Sequence, residues 1–172
     1  NINAAAASRL QVLMPGENAA AGSANGKSGT VSAQTAGLRF NATLRATDAF
    51  WNPVPSAGGN VAAAASDPFA VMPATQPLQS GSTVFAIPLV TAGAQTLTFN
   101  ETAAAFSSTS AVVQVNAGAF AKLQLLVPGE SATAGKPPFD TGVIGGRSGA
   151  ASPQTAGVPF NVSARGVDAQ VL

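Results

Sequence analysis

The chain is expected to fold as an all-β protein, an antiparallel sandwich of about seven strands followed by the first strands of a second, similar unit. Three observations predict this. Residues 38–47 (LRFNATLRAT) alternate cleanly, with Leu38, Phe40, Ala42, Leu44 and Ala46 on one face and Arg39, Asn41, Thr43, Arg45 and Thr47 on the other. That period of two belongs to a strand with one face on a core and the other in water. Turn signals punctuate the chain every ~8–12 residues, and no 3.6-residue apolar pattern lasts long enough for a helix. Finally, the sequence restarts: residues 122–130 (KLQLLVPGE) answer residues 9–17 (RLQVLMPGE).

The elements follow in order. Residues 1–7 read as a linker. Residues 9–15 form a first strand, stopped by Pro-Gly-Glu. Residues 16–37, rich in Gly, Ser, Asn and Ala, read as a long loop without periodicity. A turn at Thr35-Ala36-Gly37 leads into the central strand, and the cluster from Asp48 to Val54 closes it. Residues 60–66 and 69–74 read as short strands bounded by Gly, Asp-Pro or Pro. Residues 82–90 (STVFAIPLV) are apolar on both faces, as expected in the middle of a packed sheet. Residues 94–100 alternate again, and residues 110–116 end the unit.

The repeat sets the domain organisation. Arg9 and Lys122 stand 113 positions apart (122 less 9), whereas Gln34 and Gln154 stand 120 apart (154 less 34). The second copy therefore carries seven additional residues in its long loop, within Lys136–Gly146. A period of this length suits tandem sandwich domains rather than a solenoid. We expect a linker at 1–7, a complete unit at 8–117 and the first part of another at 118–172. Two strands bury no core alone. Residues 118–172 are thus a truncated domain, a disordered tail, or strands completed by another chain.

Composition narrows the function classes. Charged residues are 9 % of the chain and the net charge is +1, with no basic run, so nucleic acid and anionic membranes are poor partners. No apolar run approaches the roughly 18 residues of a membrane span. There is no Cys and no His, which removes disulfides, the usual nucleophile–base triads and the commonest zinc ligands. Low charge with abundant Ser, Thr, Asn, Gly and Ala accompanies secreted bacterial β-proteins. The N-terminus (NINAAAASRL) lacks the regions of a signal peptide, so an export signal is expected outside these residues, in a longer protein.

Thr35-Ala-Gly37, Phe40 to Leu44 (FNATL), Asp48 to Val54 (DAFWNPV), Ala65 to Ala74 (ASDPFAVMPA), Leu89 to Thr98 (LVTAGAQTLT) and Val113 to Gly118 (VQVNAG) carry a resemblance. Together they resemble the tandem immunoglobulin-like (Big-type) repeats of large bacterial extracellular proteins. The match covers the first unit and the first half of the second; Trp51 stands where many members have Gly. The resemblance implies an immunoglobulin-like β-sandwich serving as a spacer, stalk, adhesin or matrix element, with no catalysis.

Candidate sites are few. Glu17 and Glu130 occupy equivalent repeat positions, as do Asp48 and Asp168, and recurring carboxylates of this kind hold turns. The rival reading is a Ca²⁺ site at Asp48 and Asn52, although about six to eight oxygens are needed and no dense acidic loop is present. The Gly-rich stretches lack the strand–loop–helix setting of a phosphate cradle. Lys122 lies in a first strand, but its repeat partner is Arg9, which cannot form an isopeptide bond, so no intramolecular isopeptide bond is expected there. No cofactor is expected. Phe50 and Trp51 are adjacent at a turn, so one is expected to plug the end of the sandwich and the other to face a neighbour. The long loops lie near the junction, which makes Lys136, Phe139, Val143 and Ile144 further interface candidates.

The sequence therefore points to a non-enzymatic structural or adhesive module at the cell surface. Its partners would be neighbouring copies of the same repeat and surface or matrix components. The alternative is a filament subunit joined head to tail by strand exchange or complementation between repeats. A carbohydrate-binding accessory module of a secreted enzyme is weaker, for want of a row of aromatics.

Overall fold

The computed structural model describes residues 3–103, 106–140 and 145–172. Among them there is no helix. The first unit holds β1 (Arg9–Leu13), β2 (Glu17–Ala19), β3 (Lys27–Gly29), β4 (Gln34–Thr35), β5 (Phe40–Thr47) and β6 (Asn60–Ala65). It continues with β7 (Gln76–Pro77), β8 (Ser82–Ile87), β9 (Gly93–Gln95), β10 (Leu97–Glu101), β11 (Ser107–Thr109) and β12 (Val113–Asn116). The second unit holds β13 (Lys122–Leu126), β14 (Glu130–Ala132), β15 (Arg147–Gly149) and β16 (Ser163–Val167).

The first unit is sandwich-like. One sheet has the order β1-β5-β8, a second β11-β10-β6-β7 and a third β4-β12-β9. All pairs are antiparallel except β4 with β12. The central strand is β5, with Leu44 paired to Val12 on one side and to Thr83 on the other. Its inward residues Ala42, Leu44 and Ala46 meet Val61, Phe85, Ile87, Leu97, Phe99, Val113 and Val115 in one buried cluster. The rings of Phe85 and Phe99 join the sheets at 5.5 Å between centroids and a tilt of 54°, within the range that aromatic pairs favour.

Several sequence expectations change in detail. Leu38 is 64 % exposed, because its N–H closes a turn on the Thr35 carbonyl and the strand begins two residues later. Among the described residues β8 has only β5 beside it, and Val84 faces outward at 46 % exposure while Phe85 and Ile87 are buried. Pro88 has no N–H and the strand ends before it. Residues 69–74 form no strand; the Ala70 N–H turns back to the Asp67 carbonyl. The expected strand 94–100 is divided at Thr96, whose N–H goes to the Ser66 hydroxyl. The expected strand over 110–116 is regular only from Val113.

The long loops are not featureless. Residues 16–37 contain the hairpin β2–β3, tied by an ion pair of 3.2 Å between Lys27 and Glu17. The second unit repeats it as β14–β15, tied by Arg147 and Glu130 at 2.7 Å. The β13–β16 ladder likewise repeats β1–β5: Lys122 faces Val167 as Arg9 faces Thr47. Among its described residues the second unit thus has four short strands where the sequence suggested about two.

Candidate functional site

The region built most deliberately is the junction between the units. It has a receiving face on the first unit and an entering face on the second, and a buried carboxylate organises each.

On the receiving face, Asp67 follows β6 and is 3 % exposed. Its Oδ2 accepts the N–H groups of Val90 at 2.7 Å and Thr91 at 2.8 Å. Its Oδ1 accepts the Thr91 hydroxyl at 2.7 Å and the Phe69 N–H at 3.0 Å. Burial works against the charge, but these donors outweigh it and hold the carboxyl below its usual range. The result fixes the Val90–Thr91 loop. Beside it the turn at Gly37 is tied by the Ala36 N–H to the Asn116 carbonyl and the Gly37 N–H to the Leu89 carbonyl.

On the entering face, Asp168 follows β16 and is 2 % exposed. Its Oδ1 accepts the N–H groups of Gln170 and Leu172, each at 2.9 Å, which folds residues 168–172 into a tight turn. Its Oδ2 accepts the Gly118 N–H at 2.6 Å and so pins the linker.

The two faces meet at three places. The Gln170 side chain lies on Gly37, where a Cβ would collide with its amide. Gly37 has φ of 78°, so both the backbone and the close approach demand glycine. Gly135 is pressed against Thr91 and the Val90 carbonyl in the same way. Leu172 packs on the hydrophobic cluster of the first unit.

At the N-terminal end of the first unit the entering face recurs. Asp48 Oδ1 accepts the N–H groups of Phe50 and Asn52, and Oδ2 accepts that of Ala5, the repeat equivalent of Gly118. The Asn52 side-chain amide donates as well, and with these backbone donors it lowers the Asp48 pKa to about 2 against some desolvation. The structure thus brings Asp48 and Asn52 together, but with N–H groups aimed at the carboxylate; this is a turn, and it does not present the oxygen-rich donor set of a Ca²⁺ site. Among the described residues, no group of three or more His, Cys, Asp or Glu is placed to hold a metal.

Of the interface candidates, Trp51 turns inward. Its ring packs on Gly26 and lies under the Arg9 guanidinium at 4.6 Å. Its φ of 67° lies in the left-handed region that favours Gly, and Val171 repeats it at 64°. Phe50 is left 68 % exposed. It is the repeat equivalent of Gln170, the side chain by which the second unit touches the first. Lys136 and Phe139 make hydrogen bonds within the second unit: the Lys136 ammonium donates to the Arg147 carbonyl at 2.9 Å, and the Phe139 carbonyl accepts the Lys122 ammonium at 2.7 Å. Val143 and Ile144 lie outside the described residues.

Sequence reasoning missed Gly135, Gln170, Leu172 and Thr91. Gln170 and Leu172 could have been found by following the recurring Asp turn to its end; nothing local singles out Thr91. Comparison of the chain with family models, with curated proteins and with solved structures found no match in any of the three.

Proposed function

We propose that this chain is a non-enzymatic structural or adhesive repeat of an extracellular or cell-surface protein, in which immunoglobulin-like sandwiches are stacked end to end. The observation that carries this reading is the junction: a linker pinned by Asp168 and two faces fastened at Gly37, Thr91 and Leu172. Such a joint transmits orientation from one unit to the next, which a spacer or stalk requires and a flexible tether does not.

The immunoglobulin-like assignment has support from strand order. Lettering β1 as A, β5 as B, β6 as C, β7 as C′, β8 as E, β10 as F and β11 as G gives sheets A-B-E and C′-C-F-G. That order is compatible with this architecture, with β4-β12-β9 as an additional small sheet. The partners are neighbouring copies of the repeat.

The test is a distance. The chain has no Cys, so spin labels at S28C and S148C, exposed and equivalent positions on β3 and β15, report only the relation of the units. A narrow distribution that Gly37→Val broadens supports the stacked joint. A distribution already broad in the parent chain overturns it.

A further inference from the structure

Asn41, Thr43 and Arg45 alternate along β5 with the buried Ala42, Leu44 and Ala46, so they form a row on the outer face of the sheet. Asn41 is exposed, and Thr43 and Arg45 are half-buried. The row floors a cleft of about 310 Å³ whose wall is the turn and strand from Pro15 to Ala19. That volume lies at the lower end of small-ligand sites. Among the described residues, these three side chains make no hydrogen bond or ion pair. Glu17 in the wall differs: Lys27 neutralises it at 3.2 Å, and it accepts the Met14 N–H. Arg45 is therefore the unpaired charge of the cleft.

The internal repeat singles out the same residues. Between 38–47 and 158–167 only Phe40, Asn41 and Arg45 recur unchanged, as Phe160, Asn161 and Arg165. Thr43 keeps its hydroxyl as Ser163, whereas the inward Ala42, Leu44 and Ala46 have become Val, Ala and Gly. Close packing constrains inward positions, yet here they have changed, and no hydrogen bond or ion pair within the fold holds the side chains of Asn41 and Arg45. Outward residues that stay the same over a drifting core point to a partner outside the chain.

The chemistry of the row identifies the class of partner. A guanidinium pairs with a carboxylate through two parallel hydrogen bonds. An amide and a hydroxyl both donate and accept, which suits a run of hydroxyl groups. From residue 41 to residue 45 the row is about 13 Å long, more than one small anion occupies. An extended peptide finds no edge here, because β5 pairs with β1 on one side and β8 on the other. We propose that the cleft binds an acidic polysaccharide, with Arg45 on a uronate carboxylate and Thr43 and Asn41 on hydroxyl groups of the adjoining sugar rings. No aromatic ring lines the cleft, so one site binds weakly and repetition of the row supplies avidity. This names a ligand for the adhesive side of the proposed function and rests on that reading, but not on the stiffness of the joint.

The probe is an oligogalacturonate titrated into the full 172-residue chain and followed by amide chemical shifts. Shift changes are expected at residues 17–19 and 41–45, and methyl esterification of the probe's carboxylates should remove them. Arg45→Gln should weaken this response by about 10–100-fold, as loss of a charge-assisted pair does, and should leave the thermal melt unchanged. Asn41→Asp sets a like charge beside the carboxylate at an exposed position, so it should weaken binding without disturbing the fold. It keeps the test decisive if Arg45→Gln unfolds the chain. No shift change at millimolar probe overturns the proposal. A response that survives esterification, survives both substitutions or spares residues 41–45 overturns it as well. The S28C–S148C distance reads the joint separately, so a failed titration with a narrow distance leaves the stacked-repeat reading standing.

Discussion

Asp168 accepts the backbone N–H of Gly118 at 2.6 Å, and Asp48 accepts that of Ala5 in the same way at 3.1 Å. In both units the carboxylate that ends the second long strand reaches back to hold the chain that enters the first. The linker is therefore part of the unit it leads into. Asp168→Ala should free it: proteolysis between residues 116 and 121 should accelerate, and the S28C–S148C distance distribution should broaden while β5 and β8 keep their exchange protection.

The acid response follows from Asp48. Its pKa is about 2 in the folded chain against an ordinary 3.8. A depressed folded pKa gives stability that is present above the unfolded value and lost as pH falls through the folded one. Thermal melts should therefore lose stability from about pH 4 down to about pH 2, in the window set by those two values. Asp48→Asn should flatten that limb, with the remaining slope due to Asp67, whose pKa is also lowered.

Asp67→Ala would leave the N–H groups of Val90, Thr91 and Phe69 without their acceptor. Removing a buried charged acceptor costs about 2–3 kcal/mol. Denaturant unfolding should show this loss, and amide exchange at Val90 and Thr91 should rise more than elsewhere.

The core prediction concerns the ring pair. Phe99→Ala should cost about 3–5 kcal/mol by transfer and cavity terms together. A double-mutant cycle with Phe85→Ala should return a coupling of about 0.5–1.5 kcal/mol for the tilted contact. A coupling near zero would show that the rings merely share a core.

At Trp51 two effects oppose. A non-glycine residue at φ 67° carries strain of about 1–2 kcal/mol, while the Arg9 contact and packing on Gly26 stabilise it. Trp51→Ala keeps the strain and loses the packing; Trp51→Gly loses both. The Gly variant should therefore be the more stable of the two, by about 1 kcal/mol. Equal stabilities would mean that the turn relaxes.

The long alternating strand, the repeat and the turn-holding carboxylates were legible in the sequence because each is a local or periodic property. β5 shows it: Phe40 to Thr47 is the one run long enough for alternation to define both faces. Strand ends were less legible. Whether Leu38 belongs to a strand or a turn depends on the Thr35 carbonyl, and whether β8 is central depends on the topology. The junction was least legible. Phe50 and Trp51 drew attention as aromatics, yet the contact is made by Gly37, Gly135 and a Gln, residue types with no signature of their own. Their role comes from the absence of a side chain or from its reach. Only the placement of Asp168 beside Gly118 brings them together.

The two faces of the junction are unlike. A glycine turn and a threonine loop receive; an aspartate turn with its glutamine enters. The contact joins two different surfaces, so it has a sense of direction, and repeating it generates a head-to-tail array instead of a closed two-fold pair. Copies joined this way all point one way, and the two ends of any row they form are chemically different.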